Sequence, residues 1–551
     1  MGIPYYFSHI VKSYSGVIRS FDGSLICDNL YFDGNSIIYD ELHKICNMSD
    51  TTSASIDRLI FNVCEKLDCY IKEIQPRQKV LICFDGVAPI AKLEQQRSRR
   101  YKSTLEKDYY KTHWDNIEKV RKLTDEEESV STRQKPKNNI DTSIITPGTA
   151  FYRQLNSYCH KYFNTDKKSE YNVDELIFSG SDFPGEGEHK IFEKIRSESE
   201  YHKSTKTFIY GIDSDLIMLS LNHTMLSDFN IYLYRETPHF IQSIDKSLTP
   251  NHTYVIDVPT LALSIMKYMN GNNDTSNNSK NKVHDYIFLC FMLGNDFVPK
   301  IPSINIRRNG IDYILRAYTQ VITKESSNII NGLSIDWRIF GKVIAYMSNI
   351  EELVLKKEMT FRNKLASTSR NAMQGYFSTD IGRYYNCAPL LNRNSECDIK
   401  LWNAGWHERF YKILFQTGEI QKICHNYLES MEWCYYYYSN GCCDKTWKYN
   451  FHYGPLLKDL MMHIPTYKPQ FKATICTKPP ISELSLLCYV TPKIHLGLLP
   501  AHISSLLLQK HPEWYQDQWH LEYSFCMYTW ESHVVMSKID IDELQQILTG
   551  E

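Results

Sequence analysis

Residues 208–219 read FIYGIDSDLIML. An aromatic and β-branched run is broken by Gly211, two aspartates follow, and a strongly apolar run continues. Such a run reads as a buried strand whose carboxyl end presents Asp213 and Asp215. Side chains two apart on a strand share a face, so the pair is expected to point the same way. The same design recurs along the chain. LYFDGN carries Asp33, VLICFDGVAP carries Asp85, SGSDFPGEGEHK carries Glu186 and Glu188, and FLCFMLGNDFVP carries Asp296.

Between these runs lie helical patterns at 54–75, 91–122, 148–163 and 186–198. Strands alternating with helices predict an α/β fold with a mostly parallel central sheet flanked by helices. Ligands of such sheets sit at the carboxyl ends of the strands, which is where the acids fall. The expected organisation is an α/β domain over 1–355, a linker over 356–400 and an aromatic-rich, mainly helical C-terminal lobe over 401–551. That lobe completes the cleft. Two polar segments, 123–140 and 271–282, are expected to be poorly ordered, because they carry no apolar period.

Each acid has an ordinary explanation when taken alone. A D-x-D pair occurs in solvated turns, acids complement the first turn of a helix, and Asp before Gly opens turns. Five runs of one design make coincidence a poor account. Carboxylate ligands without His or Cys select a hard cation, Mg²⁺ or Mn²⁺. Seven acids exceed the need of one ion, and two ions about 3.5–4 Å apart clamp the attacking and leaving oxygens of an in-line displacement.

Directly after Asp85 comes AKLEQQRSRRYK. Lys92, Gln96, Arg99 and Arg100 fall at i, i+4, i+7 and i+8, on one helical face. Arginine matches phosphate oxygens with a planar fork, so this face reads as a pocket for a terminal phosphate. The acids and the basic helix together imply metal-assisted cleavage of a phosphodiester. Aromatic residues near the C-terminus, Trp433, Trp447, Tyr449 and Tyr453 among them, suit base stacking, although most such rings are core.

Composition narrows the classes. The chain has 551 residues and a net charge of −2, so a generally basic nucleic-acid coat is excluded and contacts must be local. Sixteen cysteines include no C-x-x-C pair, which argues against a zinc site and for free buried thiols in a reducing compartment. No apolar run reaches the roughly 18–20 residues that span a bilayer. The expected location is cytoplasmic, with the nucleus, a viral factory or a virion left open.

These motifs resemble the Xrn/Rat family of 5′→3′ exoribonucleases. The matches run in order: MGIPYYF, FDGVAPIAKLEQQRSRRYK, ITPGTAF, SGSDFPGEGEHKI, YGIDSDLIML, FLCFMLGNDFVPKIPS, RRNGIDYIL, then EWCYYYY…W…HYGP and a closing W…VV…ID. The resemblance implies a 5′-nuclease, PIN-like fold. It implies that Asp33, Asp85, Glu186, Glu188, Asp213, Asp215 and Asp296 hold two magnesium ions, and that Lys92, Gln96, Arg99 and Arg100 bind a 5′-monophosphate. The family stacks the 5′ base between a His and a Trp; here Tyr39 stands at the His position and Trp447 aligns with the Trp. The family's DMNG is DGNS, which keeps Asp33 and Asn35, and its SWSWYYP is DKTWKYN.

The implied activity is magnesium-dependent, processive 5′→3′ degradation of 5′-monophosphorylated single-stranded RNA to nucleoside 5′-monophosphates. The rivals are a 5′-exonuclease or flap endonuclease acting on DNA, and a catalytically silent RNA-binding scaffold. Implied partners are single-stranded RNA and decapping enzymes, with no membrane and a monomeric protein. The family's long C-terminal extensions and zinc knuckle have no counterpart in this sequence, so the expectation is a minimal nuclease core such as a large DNA virus carries.

Overall fold

The computed structural model describes residues 2–47, 56–124, 141–211, 213–237, 241, 242, 244–246, 248, 249, 252–270, 277–325, 327–379, 381–465 and 479–550. At its centre is a seven-stranded sheet. The strands are β1 (Ile18–Ser20), β2 (Asn29–Asp33), β3 (Lys79–Cys83), β4 (Glu175–Ser179), β5 (Lys206–Tyr210), β6 (Asn230–Glu236) and β7 (Thr253–Asp257). Their order is β1-β7-β6-β5-β2-β3-β4. β4, β3, β2, β5 and β6 are mutually parallel; β7 pairs antiparallel with β6, and β1 pairs antiparallel with β7, so β1 runs in the direction of the parallel strands.

The apolar runs become strands because both sheet faces are covered. In β2 every residue is buried, and its side chains alternate between two cores. Tyr31 enters one cluster with Leu81, Cys83 and Ile209; Leu30 and Phe32 enter the other with Val80, Ile82, Phe208 and Tyr210. From β2 the chain winds outward to β3 and β4, then returns to place β5 on the opposite side of β2. This reversal is the point at which doubly wound sheets bind their ligands.

The C-terminal half does not stand apart. The helix Ile420–Asn440 contributes Tyr427, Trp433, Tyr437 and Tyr438 to the same cluster as Tyr31 and Ile209. Segments beyond residue 480 pack Leu486, Tyr489, Trp514 and Leu544 on Val87, Ile90 and Leu93, at the start of the basic helix Ile90–Thr124. The helix is therefore sandwiched over its first turns, and Arg97 is buried there, donating to the carbonyls of Ser537 at 2.8 Å and Trp514 at 3.3 Å.

The expected linker over 356–400 is largely helical, within Glu351–Thr379, Ile381–Leu391 and Asn394–Asp398. Its inward stripe is Leu355, Met359, Arg362 and Ala366, at helical spacing. Arg362 is buried by a two-pronged bond to Glu396, both contacts 2.8 Å, so a charged residue fills a core position and hides the apolar period. Of the segments expected to be poorly ordered, 125–140 and 271–276 lie outside the described residues. Residues 277–282 open the helix Asn277–Cys290. Among the described residues no helix is long and apolar enough to cross a membrane.

Candidate active site

The acids converge at the carboxyl edge of the sheet. Asp33 is the last residue of β2, and Asp85 follows β3 by two residues. Beyond β4, Glu186 occupies the N-cap position of the helix Gly187–Ser197 without a side-chain capping bond, and Glu188 stands in its first turn. After β5, Asp213 caps the helix Ser214–Ser227 and Asp215 lies in its first turn. The D-x-D pair is thus a helix start rather than the strand end expected. Acids favour helix N-termini, where exposed N–H groups and the helix dipole offset their charge. Asp296 follows the single turn Phe291–Leu293.

Backbone geometry brings these pieces close. Gly187, between the two glutamates, donates its N–H to Asp85 Oδ1 at 2.7 Å. A Cβ there would sit 2.7 Å from Asp33 Oδ1, so any other residue would push that carboxylate aside. Asn35 clamps Asp85 from both sides: its amide nitrogen donates to Oδ2, and its oxygen accepts the Asp85 backbone N–H at 3.1 Å. Tyr152 donates to the same Asn35 oxygen at 3.1 Å.

Single oxygens of Asp33, Asp85 and Glu188 lie within 4.8 Å of one another. Asp33 Oδ1 is buried and accepts no hydrogen bond. Burial, and then the charges of Asp85 and Asp213, push the Asp33 carboxyl well above the usual carboxylate range. Burial and Glu186 raise Asp85 and Glu188 in the same direction. Burial, with Asp296 and Asp213, lifts Asp215 to about 7. Carboxylates crowded at this distance ionise together only with a cation among them. This donor set, all oxygen and partly unsatisfied, could hold a metal.

Lys92 takes a different place from the one expected. Its Nζ lies 2.5 Å from Glu186 Oε1 and 2.9 Å from Asp296 Oδ2, so it sits among the acids. Burial would lower its ammonium, but Asp296 and Glu186 override this and hold it well above its ordinary value. Burial would likewise raise Asp296, and Lys92 instead holds that carboxyl below the usual range.

Gln96, Arg99 and Arg100 do face the acids. With Lys92, Tyr39, Asn35, Asp33, Asp85, Glu186, Glu188 and Asp213 they line a single cleft of about 790 Å³. Arg100 is positioned by Thr146 Oγ1 and, at 3.4 Å, by the Ser143 carbonyl. Tyr39 is 38% exposed in the same cleft. Trp447 is not brought to it. Its ring is 5% exposed and stacks on Trp433, centroids 5.0 Å apart, within the core. The turn ahead of it is pinned by Ile90, whose N–H donates to the Lys445 carbonyl at 2.9 Å.

Among the aromatics that line the cleft with Tyr39 is a tryptophan, Trp530. Lys102 fixes it by donating to its carbonyl at 2.9 Å, and Tyr5 packs beside it, centroids 6.2 Å apart. Sequence reasoning passed over Trp530 as a ligand, although it opens the closing W…VV…ID motif. Tyr437 and Tyr438 were also missed as site residues. Their hydroxyls donate to Glu186 Oε2 at 2.6 Å and to Asp215 Oδ1 at 2.5 Å. The one signal was the run of four tyrosines.

Residues 1–237 match the family described as XRN 5′-3′ exonuclease N-terminus, and residues 276–388 and 386–544 match the Xrn1 helical domain. The chain belongs to the XRN 5′-3′ exonuclease family. An XRN relative, 5′-3′ exoribonuclease 1 of Homo sapiens, is 25% identical over 610 residues, covering all of this chain and 34% of that protein. The same-named protein of Saccharomyces cerevisiae is 30% identical over 370 residues, covering 65% of this chain and 23% of its own length. The 5′-3′ exoribonuclease 2 homolog of Caenorhabditis elegans is 23% identical, covering 98% of this chain and 70% of the relative. This XRN chain therefore spans about a third or less of the first two relatives.

Proposed function

We propose that this protein is a 5′→3′ exoribonuclease that removes nucleoside 5′-monophosphates one at a time from 5′-monophosphorylated single-stranded RNA. The observation that carries the reading is one cleft whose wall joins an acidic cluster to Gln96, Arg99 and Arg100. Asp33, Asp85, Glu186, Glu188, Asp213, Asp215 and Asp296 would hold two Mg²⁺ ions, for which Mn²⁺ can substitute. Such ions activate water and offset charge on the attacking and leaving oxygens of an in-line displacement.

The chain's own residues do the rest. Arg99, Arg100 and Gln96 bind the 5′-phosphate and so set the distance from the chain end to the bond that is cut. Tyr39 stacks on the first base, a contact that tolerates every base in turn. Asn35 and Gly187 hold Asp85, and Tyr437 and Tyr438 hold Glu186 and Asp215. Water adds to the first internucleotide phosphorus and the 3′-oxygen of the first nucleotide leaves. The strand then advances until its new 5′-phosphate reaches the arginines. On this reading a bulky cap or triphosphate does not suit the pocket, and decapping enzymes would act upstream on the same RNA. The site needs one copy of the chain, in keeping with a monomer.

The test is digestion of matched 5′-phosphate and 5′-hydroxyl RNA and DNA oligonucleotides with Mg²⁺ and with EDTA. The reading expects mononucleotide release from 5′-phosphate RNA with Mg²⁺ alone. Preference for DNA, or internal cuts, would transfer it to the flap or 5′-exonuclease class. RNA binding without cleavage would make it a scaffold.

A further inference from the structure

Arg235 is the next-to-last residue of β6 and forms part of the wall of the catalytic cleft. It is 7% exposed, and its Nε is buried without an acceptor. Among the described residues no carboxylate comes within ion-pair distance of it and no oxygen accepts a hydrogen bond from its guanidinium. Its packing partner is the Phe7 ring, whose centroid lies 4.3 Å from the guanidinium carbon.

The acid next to it in sequence does not serve it. Strand neighbours point to opposite faces. Glu236 accordingly turns away, taking a hydrogen bond from the Tyr70 hydroxyl and an ion pair from Lys66 at 3.2 Å. Burial works against the Arg235 charge, and the through-space attraction of Asp213 does not make up for it. Asp213 belongs to the acid cluster, so a cation bound there would withdraw that attraction. A buried charge with no partner is strongly unfavourable. Arginine is the side chain suited to a phosphate that arrives with a ligand.

Position says which phosphate. The basic helix with Arg99 and Arg100 leaves the sheet directly after β3, on one side of β2. β6 lies on the other side, two strand spacings from β2, or about 10 Å. The acids stand between these two sources of positive charge. An RNA whose 5′-phosphate meets Arg99 and Arg100 and whose first linkage lies over the acids continues toward β6.

We propose that Arg235 forms an anion subsite that holds one RNA backbone phosphate on the 3′ side of the scissile linkage. Resting on the exoribonuclease reading above, it assigns β6 the task of keeping the strand in place while the released nucleotide leaves. The competing role for Arg235 is that of a fixed counter-charge to the acid cluster.

The experiment uses the full chain and a series of 5′-phosphorylated RNA oligonucleotides, each with one neutral methylphosphonate linkage at a different position. Binding is measured in EDTA, and initial rates with Mg²⁺. Wild type is expected to lose about ten- to hundred-fold in affinity at one linkage beyond the first. Arg235→Gln is expected to bind the all-phosphate RNA correspondingly weakly and to be indifferent to that methylphosphonate. Its slope of log affinity against log salt should shrink by about 0.7. Its KM should rise more than its kcat falls. Arg235→Lys, which keeps the charge and the fold, should retain part of the linkage preference.

Equal methylphosphonate penalties in wild type and Arg235→Gln, with an unchanged salt slope, would overturn the subsite and leave Arg235 as a counter-charge. If Arg235→Gln fails to fold, the same scan on Arg235→Lys decides, and a wild-type pattern of full strength there overturns it as well. A wild-type protein that neither binds nor cuts the unmodified RNA would instead sink the exoribonuclease reading itself.

Discussion

The Tyr437 hydroxyl donates to Glu186 Oε2 at 2.6 Å, joining residues 251 positions apart. The same ring stacks on His189, centroids 3.6 Å apart. A helix from the C-terminal half thus fixes a carboxylate that the N-terminal sheet supplies. Such outer partners typically change metal affinity by about 10–100-fold when lost. Tyr437→Phe should raise the Mg²⁺ concentration for half-maximal turnover by about that factor, with a smaller change at saturating Mg²⁺. A Mg²⁺ titration of initial rate checks this, and an unshifted midpoint would make the contact purely structural.

Asp33 carries a buried oxygen without a donor and stands within 4.8 Å of single oxygens of Asp85 and Glu188. Asp33→Asn should abolish turnover while leaving the melting temperature unchanged or higher, because it removes mutual repulsion among Asp33, Asp85 and Asp213. Asp213→Ala should be equally inactive. Activity assays beside thermal melts in EDTA read both effects, and near-wild-type turnover in either variant contradicts the metal assignment.

Arg99→Ala and Arg100→Ala should each lower the preference for 5′-phosphate over 5′-hydroxyl RNA. A charge-assisted contact contributes about 1.5–3 kcal/mol, so the ratio of initial rates should fall by about one to two orders of magnitude. An undiminished ratio would return the basic helix to a structural role like that of Arg97.

Tyr39→Ala should shorten the run of nucleotides removed per encounter and affect a single cleavage less, since stacking holds the strand between cuts. Trp530→Ala should do the same, because Trp530 and Tyr39 line one cleft. Trp447→Ala should show itself instead as lost stability, through its stack on Trp433. Product ladders with a trap RNA and denaturation curves separate the two behaviours.

Glu351 is buried, accepting the N–H groups of Leu457 at 2.8 Å and Lys458 at 3.2 Å. Burial raises it from 4.5 to about 7. The folded state therefore binds this proton more tightly than the unfolded chain. Its contribution is full below pH about 4.5 and is lost as pH rises to about 7, a difference of roughly 3 kcal/mol. Glu351→Gln should flatten the fall in stability over that window. Denaturant midpoints in EDTA between pH 4.5 and 7.5 measure it, and parallel curves for wild type and variant would assign the pH dependence elsewhere.

The local pattern of the chain determined a great deal. Fully buried strands read as continuous apolar runs, so β2, β3 and β5 and the acids at their ends were legible, as was the helical face carrying Gln96, Arg99 and Arg100. Those features depend on spacing within about twenty residues. Tertiary structure decided what spacing cannot carry. Lys92 lies at phosphate-pocket spacing, yet two acids from distant loops claim its charge. Trp447 carries the motif but is covered by Trp433, while Trp530 reaches the cleft. The stripe of Glu351–Thr379 stayed hidden because Arg362 is buried by Glu396, 34 residues away. Burial of a charge or a ring depends on which partner arrives from elsewhere in the chain, and only the folded packing supplies that partner.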